Sequence, residues 1–485
     1  MKMSADDVRG RLAGDVRFLP ALITAVLVGW QATRPQLWRD EFATWSAATR
    51  PSADLDLLTD HIDGVLEPYY RLMRAWIGVF GDSVISLRTP SMLAAVATAG
   101  LVGVLGKVVG SRRAGLLAGL VYAVVPSTIR YGQEARPYAL GEFAAVAATL
   151  LLILALRRRR RRFWIGYAVA LTVLGTLHMV MLLVLAGHLV AVLDNARTTR
   201  SWRSLLEPAA APLAAFSVLI PLMLRGYAQT GAQLGSSHRT NLYLIAELPA
   251  GICCGAVAAA TLLVLAAAGA LMAGRTARVF GLLTLAPIAA LAALALFVPV
   301  FNHRYVLFVT PLACVLAGIA LTRLRLPRGL AVVVLLGLIT LPAQAAVRRS
   351  HEQTSSPLID YRGAARVISN GRQPGDAIVY QRRGWQFVDI ATEYYLRRDT
   401  PTDILAATSR DAAGSFWTPE VTRPDAALAA VARVWEVVPD RLSDHKPQPL
   451  AAGVRNALAR AFRQTGRWRV SGITIFLLQR RTGIP

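Results

Sequence analysis

The sequence predicts an all-α polytopic membrane protein of about eleven transmembrane helices, followed by a small C-terminal extracytoplasmic α/β domain. Three observations predict it. Of 485 residues, 54% are hydrophobic and only 17% charged, with a mean hydropathy of +0.44; a soluble domain carries about 25% charged residues. The apolar residues gather into segments of roughly 20, the length that crosses a bilayer. Short arginine runs stand between these segments, as they do on cytoplasmic loops. Disorder is excluded, because it needs low hydrophobicity. The formal charge of +24 lies in the inter-segment runs and not on a soluble face, so no nucleic-acid partner is expected. Cys253, Cys254 and Cys314 sit in apolar stretches and read as small core residues, with no disulfide framework or paired metal motif.

The first span, Phe18–Thr33, follows Arg9, Arg11 and Arg17. No small-residue cleavage site follows it, so it reads as an uncleaved anchor with a cytoplasmic N-terminus. Further spans are expected at Val84–Val109, Ala114–Ile129 and Tyr138–Leu156. The stretch Phe163–Leu193 exceeds one helix and reads as two, meeting on the outer side at Thr176–His178. Leu205–Leu224, Leu244–Ala273, Val279–Val300, Tyr305–Leu321 and Leu330–Ala346 complete the set. Eleven spans place Arg112-Arg113, Arg157 to Arg162, Arg197/Arg200/Arg203, Arg275/Arg278 and Arg323/Arg325/Arg328 on one side, the cytoplasm. The transmembrane domain is therefore residues 1–346, with a first outer loop, 34–83, carrying surface helices such as Phe42–Thr49 and Tyr70–Phe80. Residues 347–485 form the C-terminal domain. There Asp360–Asn370 and Gly453–Phe462 read as helices, and Asp376–Gln381, Ala432–Val438 and Val470–Leu478 as strands.

The chemistry gathers in the outer loops. The first opens with Trp38-Arg39-Asp40-Glu41 and continues through His61, Asp63 and Glu67-Pro68-Tyr69-Tyr70. Adjacent acids on a helix diverge by about 100°, so only one of Asp40 and Glu41 faces a given cavity while the other caps or pairs. The plain alternative is two solvated carboxylates at a helix N-terminus. The second loop carries Arg130 to Tyr138, including Gln133, Glu134 and Arg136, and reads either as interfacial anchoring or as an anion site. Pro137 suits the first position of the next helix. A third cluster is Asn302-His303-Arg304-Tyr305, where the Arg304 fork can grip a phosphate. His178 lies within an apolar segment, where a histidine is either a bonded core group or functional. Acids facing cationic loops fit a reaction with an anionic leaving group: a carboxylate takes a proton from a hydroxyl while Arg or His offsets charge on a departing phosphate.

These residues resemble the GT-C superfamily of membrane glycosyltransferases, above all protein O-mannosyltransferases, the lipid A aminoarabinose transferase and actinobacterial mannosyltransferases. The likeness covers most of Phe18–Ala346 in order and spacing: Asp40-Glu41 after Trp38-Arg39, His61 and Asp63 before Glu67-Pro68-Tyr69-Tyr70, the run Gln133–Tyr138, and Arg304-Tyr305 followed by Pro311. The resemblance implies a polyprenyl-phosphate sugar donor and a lipid-linked or glycan acceptor, with transfer on the extracytoplasmic side of the cell membrane. By it, Asp40 is the general base of an inverting displacement. Arg304, Arg136 and His303 hold the phosphate. Glu41, His61, Asp63, Glu67, Tyr69, Gln133, Glu134, Tyr138, His178 and Tyr305 line the substrate sites. Where many relatives read His-Pro-Pro before the tyrosine pair, this chain reads Gly64-Val65-Leu66-Glu67-Pro68. That departure puts a family metal in doubt; His61, Asp63 and His303 have ligand chemistry, but their spacing defines no site, and no metal or other cofactor is expected. Trp385, Trp417 and Trp435 can stack on acceptor sugars, or be core residues, as the strand position of Trp435 favours. The competing reading is a lipid-linked saccharide flippase, which should show charges within spans and helices broken in matched halves. A non-catalytic scaffold would need no acid pair opposite outward arginines.

Overall fold

The apolar runs fold as helices, since within a bilayer every backbone N–H and C=O must be satisfied inside its own segment. The computed structural model describes residues 16–199, 205–233, 240–272, 274–352, 358–382, 384, 386–441 and 443–481. Arg9, Arg11, Arg200, Arg203 and Trp385 lie outside the described residues. The chain divides into two compact units. The first is made by residues to Arg34, by Asp63–Leu72 and by Ile85–Arg349; the second by Pro35–Ile62, Met73–Val84 and residues from Ser350 onward.

In the first unit every expected span has a helix, but fewer are long and unbroken than the count of about eleven requires. Among the described residues, five helices are long and apolar enough to cross a membrane: Val84–Val109, Tyr138–Arg158, Met179–Thr199, Leu206–Ala228 and Arg275–Phe297. Three bent pairs bring the number to eight: Arg112–Val124 with Pro126–Gly132 at 65°, Leu242–Cys253 with Ala256–Met272 at 91°, and Leu326–Ile339 with Leu341–Val347 at 50°. Two shorter apolar helices are Phe18–Gly29 and Val309–Leu321. The breaks have local causes. Pro126 and Pro342 each stand at the start of a second helix, where a missing N–H costs nothing, and Cys254 adopts left-handed backbone before Gly255. The long stretch Phe163–Leu193 does split as expected, with helix Arg161–Leu177 ending at an extended His178. Large apolar side chains such as Leu213, Val218, Val264, Leu285, Phe297 and Leu335 are exposed on the helices. A surface of that kind belongs in lipid, and the chain is a multi-pass membrane protein.

The basic loops also bind the helix ends. Arg113 donates to the Leu324 carbonyl at 2.8 Å, Arg157 to Val108, and Arg323 to Met272. Arg157 and Arg323 meet carbonyls at a neighbouring helix C-terminus, where positive charge is favoured, and Arg113 meets the turn between two helices. Between the helices, small residues let backbones approach, the usual device where lipid removes the hydrophobic drive. A Cβ on Gly269 would stand 2.0 Å from the Leu316 carbonyl oxygen, and one on Gly318 would stand 2.4 Å from that of Ala114. Deeper in the unit, His188 is buried between two hydroxyls: Thr149 Oγ1 lies 2.9 Å from Nε2 and Tyr167 OH 2.9 Å from Nδ1.

The second unit contains a five-stranded sheet in the order β2-β1-β3-β5-β4, with β1 Ala377–Tyr380, β2 Thr402–Asp403, β3 Arg433–Pro439, β4 Phe462–Val470 and β5 Ile473–Arg480. β1 runs parallel to β2 and β3, while β5 is antiparallel to β3 and to β4. The helix Tyr361–Gly371 begins as expected, with the Asp360 carboxylate accepting from the Gly363 N–H at 2.8 Å. The single strand expected at Val470–Leu478 is instead a hairpin turning at Ser471-Gly472. β4 escaped notice because its arginines, Arg463, Arg467 and Arg469, leave it without an apolar run, as suits an edge strand. Trp435 is fully buried, its indole N–H donating to Asp376 at 2.8 Å. Trp417 donates to the Gly384 carbonyl and packs against Phe387 and Phe416. The close approaches at Gly269 and Gly318 generate the first prediction. Gly269→Ala or Gly318→Ala should each lower stability by about 1–3 kcal/mol, read as a fall in the melting temperature of the purified protein. Gly78→Ala, where a Cβ meets nothing within 4 Å, should leave it unchanged or raised.

Candidate active site

In the first unit, the turn after Pro126 and the break before Val309 carry the cationic residues. Arg130 and Glu134 sit one turn apart and form a buried ion pair at 2.7 Å. Arg304, in the short 3-10 turn His303–Val306, donates to Tyr138 OH at 3.3 Å, and its guanidinium lies 5.5 Å from the Tyr138 ring centre. Arg130 and Arg304 are close enough to repel one another, and Arg136 and Arg304 both act on His178. Tyr138 packs on Tyr131 at 5.7 Å and on His178 at 5.5 Å, and His178 packs on Tyr305 at 5.3 Å. His178 Nδ1 is buried without a hydrogen-bond partner among the described residues. Burial, followed by the charges of Arg304 and Arg130, pushes His303 down to about 3, so its imidazole is neutral at physiological pH. The ring rests on Gly251, where a Cβ would come within 2.9 Å of Cγ. With His303 neutral, the positive charge of this cluster is carried by the guanidinium groups of Arg130, Arg136 and Arg304.

Arg136 extends the cluster. Its Nη1 donates to Tyr70 OH at 3.4 Å, and that hydroxyl donates to Asp63 Oδ2 at 2.7 Å. Burial, then the Asp63 charge, pushes the Tyr70 phenol well up, so it remains a hydroxyl. Two expected members are occupied elsewhere. Gln133 donates to the carbonyls of Val28 and Trp30 and closes the end of helix Phe18–Gly29. Glu67 pairs with Arg71 at 2.8 Å and with Arg225. Tyr69 is buried with its ring 6.1 Å from Tyr70. From sequence, Cys254 was expected as a core residue, and Tyr131, within the second-loop run, was given no role of its own. Arg130, Glu134 and Arg304 all act electrostatically on Cys254. Cys254 stands at the 91° break between helices Leu242–Cys253 and Ala256–Met272.

In the second unit, helix Arg39–Thr49 carries both acids of the first loop. It is not an amphipathic surface helix: Glu41 through Ala48 are all buried. Asp40 keeps partial exposure, with Arg39 Nε 3.7 Å from its carboxylate. Glu41 is fully buried, 3.7 Å from the equally buried His351 Nδ1. His61 holds the Gly414 carbonyl through Nδ1 at 3.1 Å. Among the described residues, no three His, Cys, Asp or Glu side chains are grouped to hold a metal ion.

The comparisons with known proteins bear on this arrangement. Residues 69–224, about a third of the chain, match the profile of the dolichyl-phosphate-mannose-protein mannosyltransferase family. The structure of ArnT from Cupriavidus metallidurans in the apo state superposes with a TM-score of 0.60 at 13% identity, covering 95% of this chain and 97% of that one. The fold is therefore that of ArnT. ArnT bound to undecaprenyl phosphate gives a TM-score of 0.58 at 14% identity, covering 96% of this chain and 98% of that one. No curated protein sequence matches. The stretch matched by the family profile takes in Glu134, Arg136, Tyr138 and His178, whereas Asp40 and Arg304 fall outside it.

The buried ion pair yields a prediction. Glu134→Gln keeps the shape but leaves the Arg130 charge without its carboxylate, a loss of about 3–5 kcal/mol for a buried pair. Thermal unfolding should show that loss; a change within about 1 kcal/mol would mean that another group neutralises Arg130.

Proposed function

We propose that this chain transfers a sugar, mannose in preference to arabinose, from a polyprenyl-phosphate donor to a hydroxyl of a cell-envelope glycolipid, glycan or protein. The observation that carries the reading is the set of Arg130, Arg136 and Arg304 gathered among apolar helices. Such a set suits a lipid that ends in phosphate. The fold supports it, because the ArnT that shares it has been seen with undecaprenyl phosphate.

The reaction is a single inverting displacement on the extracytoplasmic side. Asp40 is the partly exposed acid of the pair; an ordinary aspartate is ionised at neutral pH and can accept a proton. It takes the proton of the acceptor hydroxyl as that oxygen attacks the anomeric carbon. The bond from that carbon to the phosphate oxygen breaks, and its electron pair leaves with the polyprenyl phosphate. Arg304 and Arg136 offset the charge that grows there, the usual source of most rate enhancement in such steps. Tyr138, His178, His303 and Tyr305 form the aromatic and imidazole wall of the phosphate site, and Asp63 orients Arg136 through Tyr70. Exposed apolar helix faces accommodate the lipid tail. No step requires a metal.

The test uses the full chain in lipid nanodiscs with decaprenyl-phosphate mannose, and separately decaprenyl-phosphate arabinose, and an envelope glycolipid extract. Asp40→Asn should reduce transfer by about 10²–10⁴-fold, the span for a lost general base, while the melting temperature holds. Equal transfer by both proteins would remove Asp40 from the base role. No transfer by the wild type from either donor, with lipid scrambling present, would sink the transferase reading in favour of a flippase.

A further inference from the structure

Helix Arg39–Thr49 is held from its entry to its end by residues of its own unit that lie some 300 positions later. Tyr395 OH accepts from the Leu37 N–H at 3.2 Å, and the Gln36 side chain accepts from the Arg362 N–H at 3.1 Å and donates to the Ile359 carbonyl. Phe42 sits edge-on among Tyr361, Tyr394 and Tyr395, with ring centres 5.0, 6.0 and 6.1 Å away. Trp45 donates to Asp82 at 2.8 Å, and Asp82 also pairs with Arg397. Burial alone would raise the Asp82 acid, but those two donors outweigh it and hold it below its usual value. At the far end Arg50, fully buried, donates to the Ser415 carbonyl at 2.6 Å and meets Asp411 at 3.1 Å.

These contacts fix where the helix lies; its first turn has a separate lock. Glu41 and His351 both have no exposed side-chain surface and lie 3.7 Å apart. Consecutive helical side chains diverge by about 100°, so the direction of Glu41 sets that of Asp40. A buried polar pair is a poor way to gain stability, because desolvation consumes the attraction; its best-attested use is to specify one register over others. Rotating this helix to bring Glu41 outward would also pull Phe42 from its three tyrosines. We propose that Glu41 is a positioning residue: paired with His351, it sets the rotation of the helix that aims Asp40, and it never touches substrate. This rests on the reading of Asp40 as the base.

The experiment uses the full chain in nanodiscs with the donors and acceptor named above, together with hydrogen–deuterium exchange over residues 41–49. His351→Ala should lower kcat by about 10–100-fold with donor KM within about two-fold, the pattern of a contribution made only in the transition state. It should also speed exchange across 41–49. His351→Asn, which places a donor where Nδ1 was, should restore both to within a few-fold. The double variant Glu41→Gln with His351→Ala should be no worse than His351→Ala alone, because the two act as one unit. A raised KM at unchanged kcat, or exchange indifferent to His351→Ala, would overturn the proposal. If the wild type transfers no sugar, it is the glycosyl-transfer reading that fails, and the exchange comparison still decides whether His351 locks the helix.

Discussion

A guanidinium group keeps its proton at any biological pH, so one buried among apolar helices must have its charge answered on the spot. The first unit is arranged around that constraint. Pro126 starts the short helix that brings Arg130 and Glu134 one turn apart. Gln133, between them, ties that helix to the end of Phe18–Gly29. Tyr138 offers Arg304 both a hydroxyl and a ring face. The extended backbone at His178 brings an imidazole beside Tyr138 and Tyr305. Glu134 answers Arg130 directly, and Asp63 reaches Arg136 through the Tyr70 hydroxyl.

The second unit meets a related difficulty with a different device. Helix Arg39–Thr49 is almost wholly enclosed although its first turn carries two acids. Glu41 is matched by His351, while Asp40 keeps contact with solvent. Arg50 at the other end is satisfied by carbonyls and by Asp411. The aromatic set Phe42, Tyr361, Tyr394 and Tyr395 supplies the apolar part of the grip, so a segment that begins as a loop between two helices is folded as core.

Hydropathy located the apolar helices because length and apolarity are local properties. It could not locate the breaks at Pro126, Cys254 and Pro342, since a window average treats a bent pair as one helix. β4 was invisible for the opposite reason: its exposed arginines carry no apolar alternation to find. In the site, Glu134, Arg136, Tyr138, His178, His303, Arg304 and Tyr305 could be picked out because each is a polar or aromatic group at the edge of a span, and the structure gathers them. Glu67 and Gln133 looked equivalent in sequence, yet Arg225 and the carbonyls of Val28 and Trp30 claim them. The partner of Glu41 stands 310 positions away, a separation that no motif spacing encodes.

The histidine buried between Thr149 and Tyr167 has a consequence for where its proton must be. The single hydroxyl proton of Thr149 is already given to the Ala145 carbonyl at 2.8 Å, so toward His188 that oxygen can only accept. An imidazolium with no carboxylate beside it would be too costly in this setting. The neutral ring therefore carries its hydrogen on Nε2 and leaves Nδ1 to receive the Tyr167 O–H. Donation then runs in one direction, from Tyr167 through His188 and Thr149 to a backbone oxygen, stitching helices Tyr138–Arg158, Arg161–Leu177 and Val184–Thr199 with a polarity that cannot be reversed without stranding a hydroxyl proton in the apolar interior.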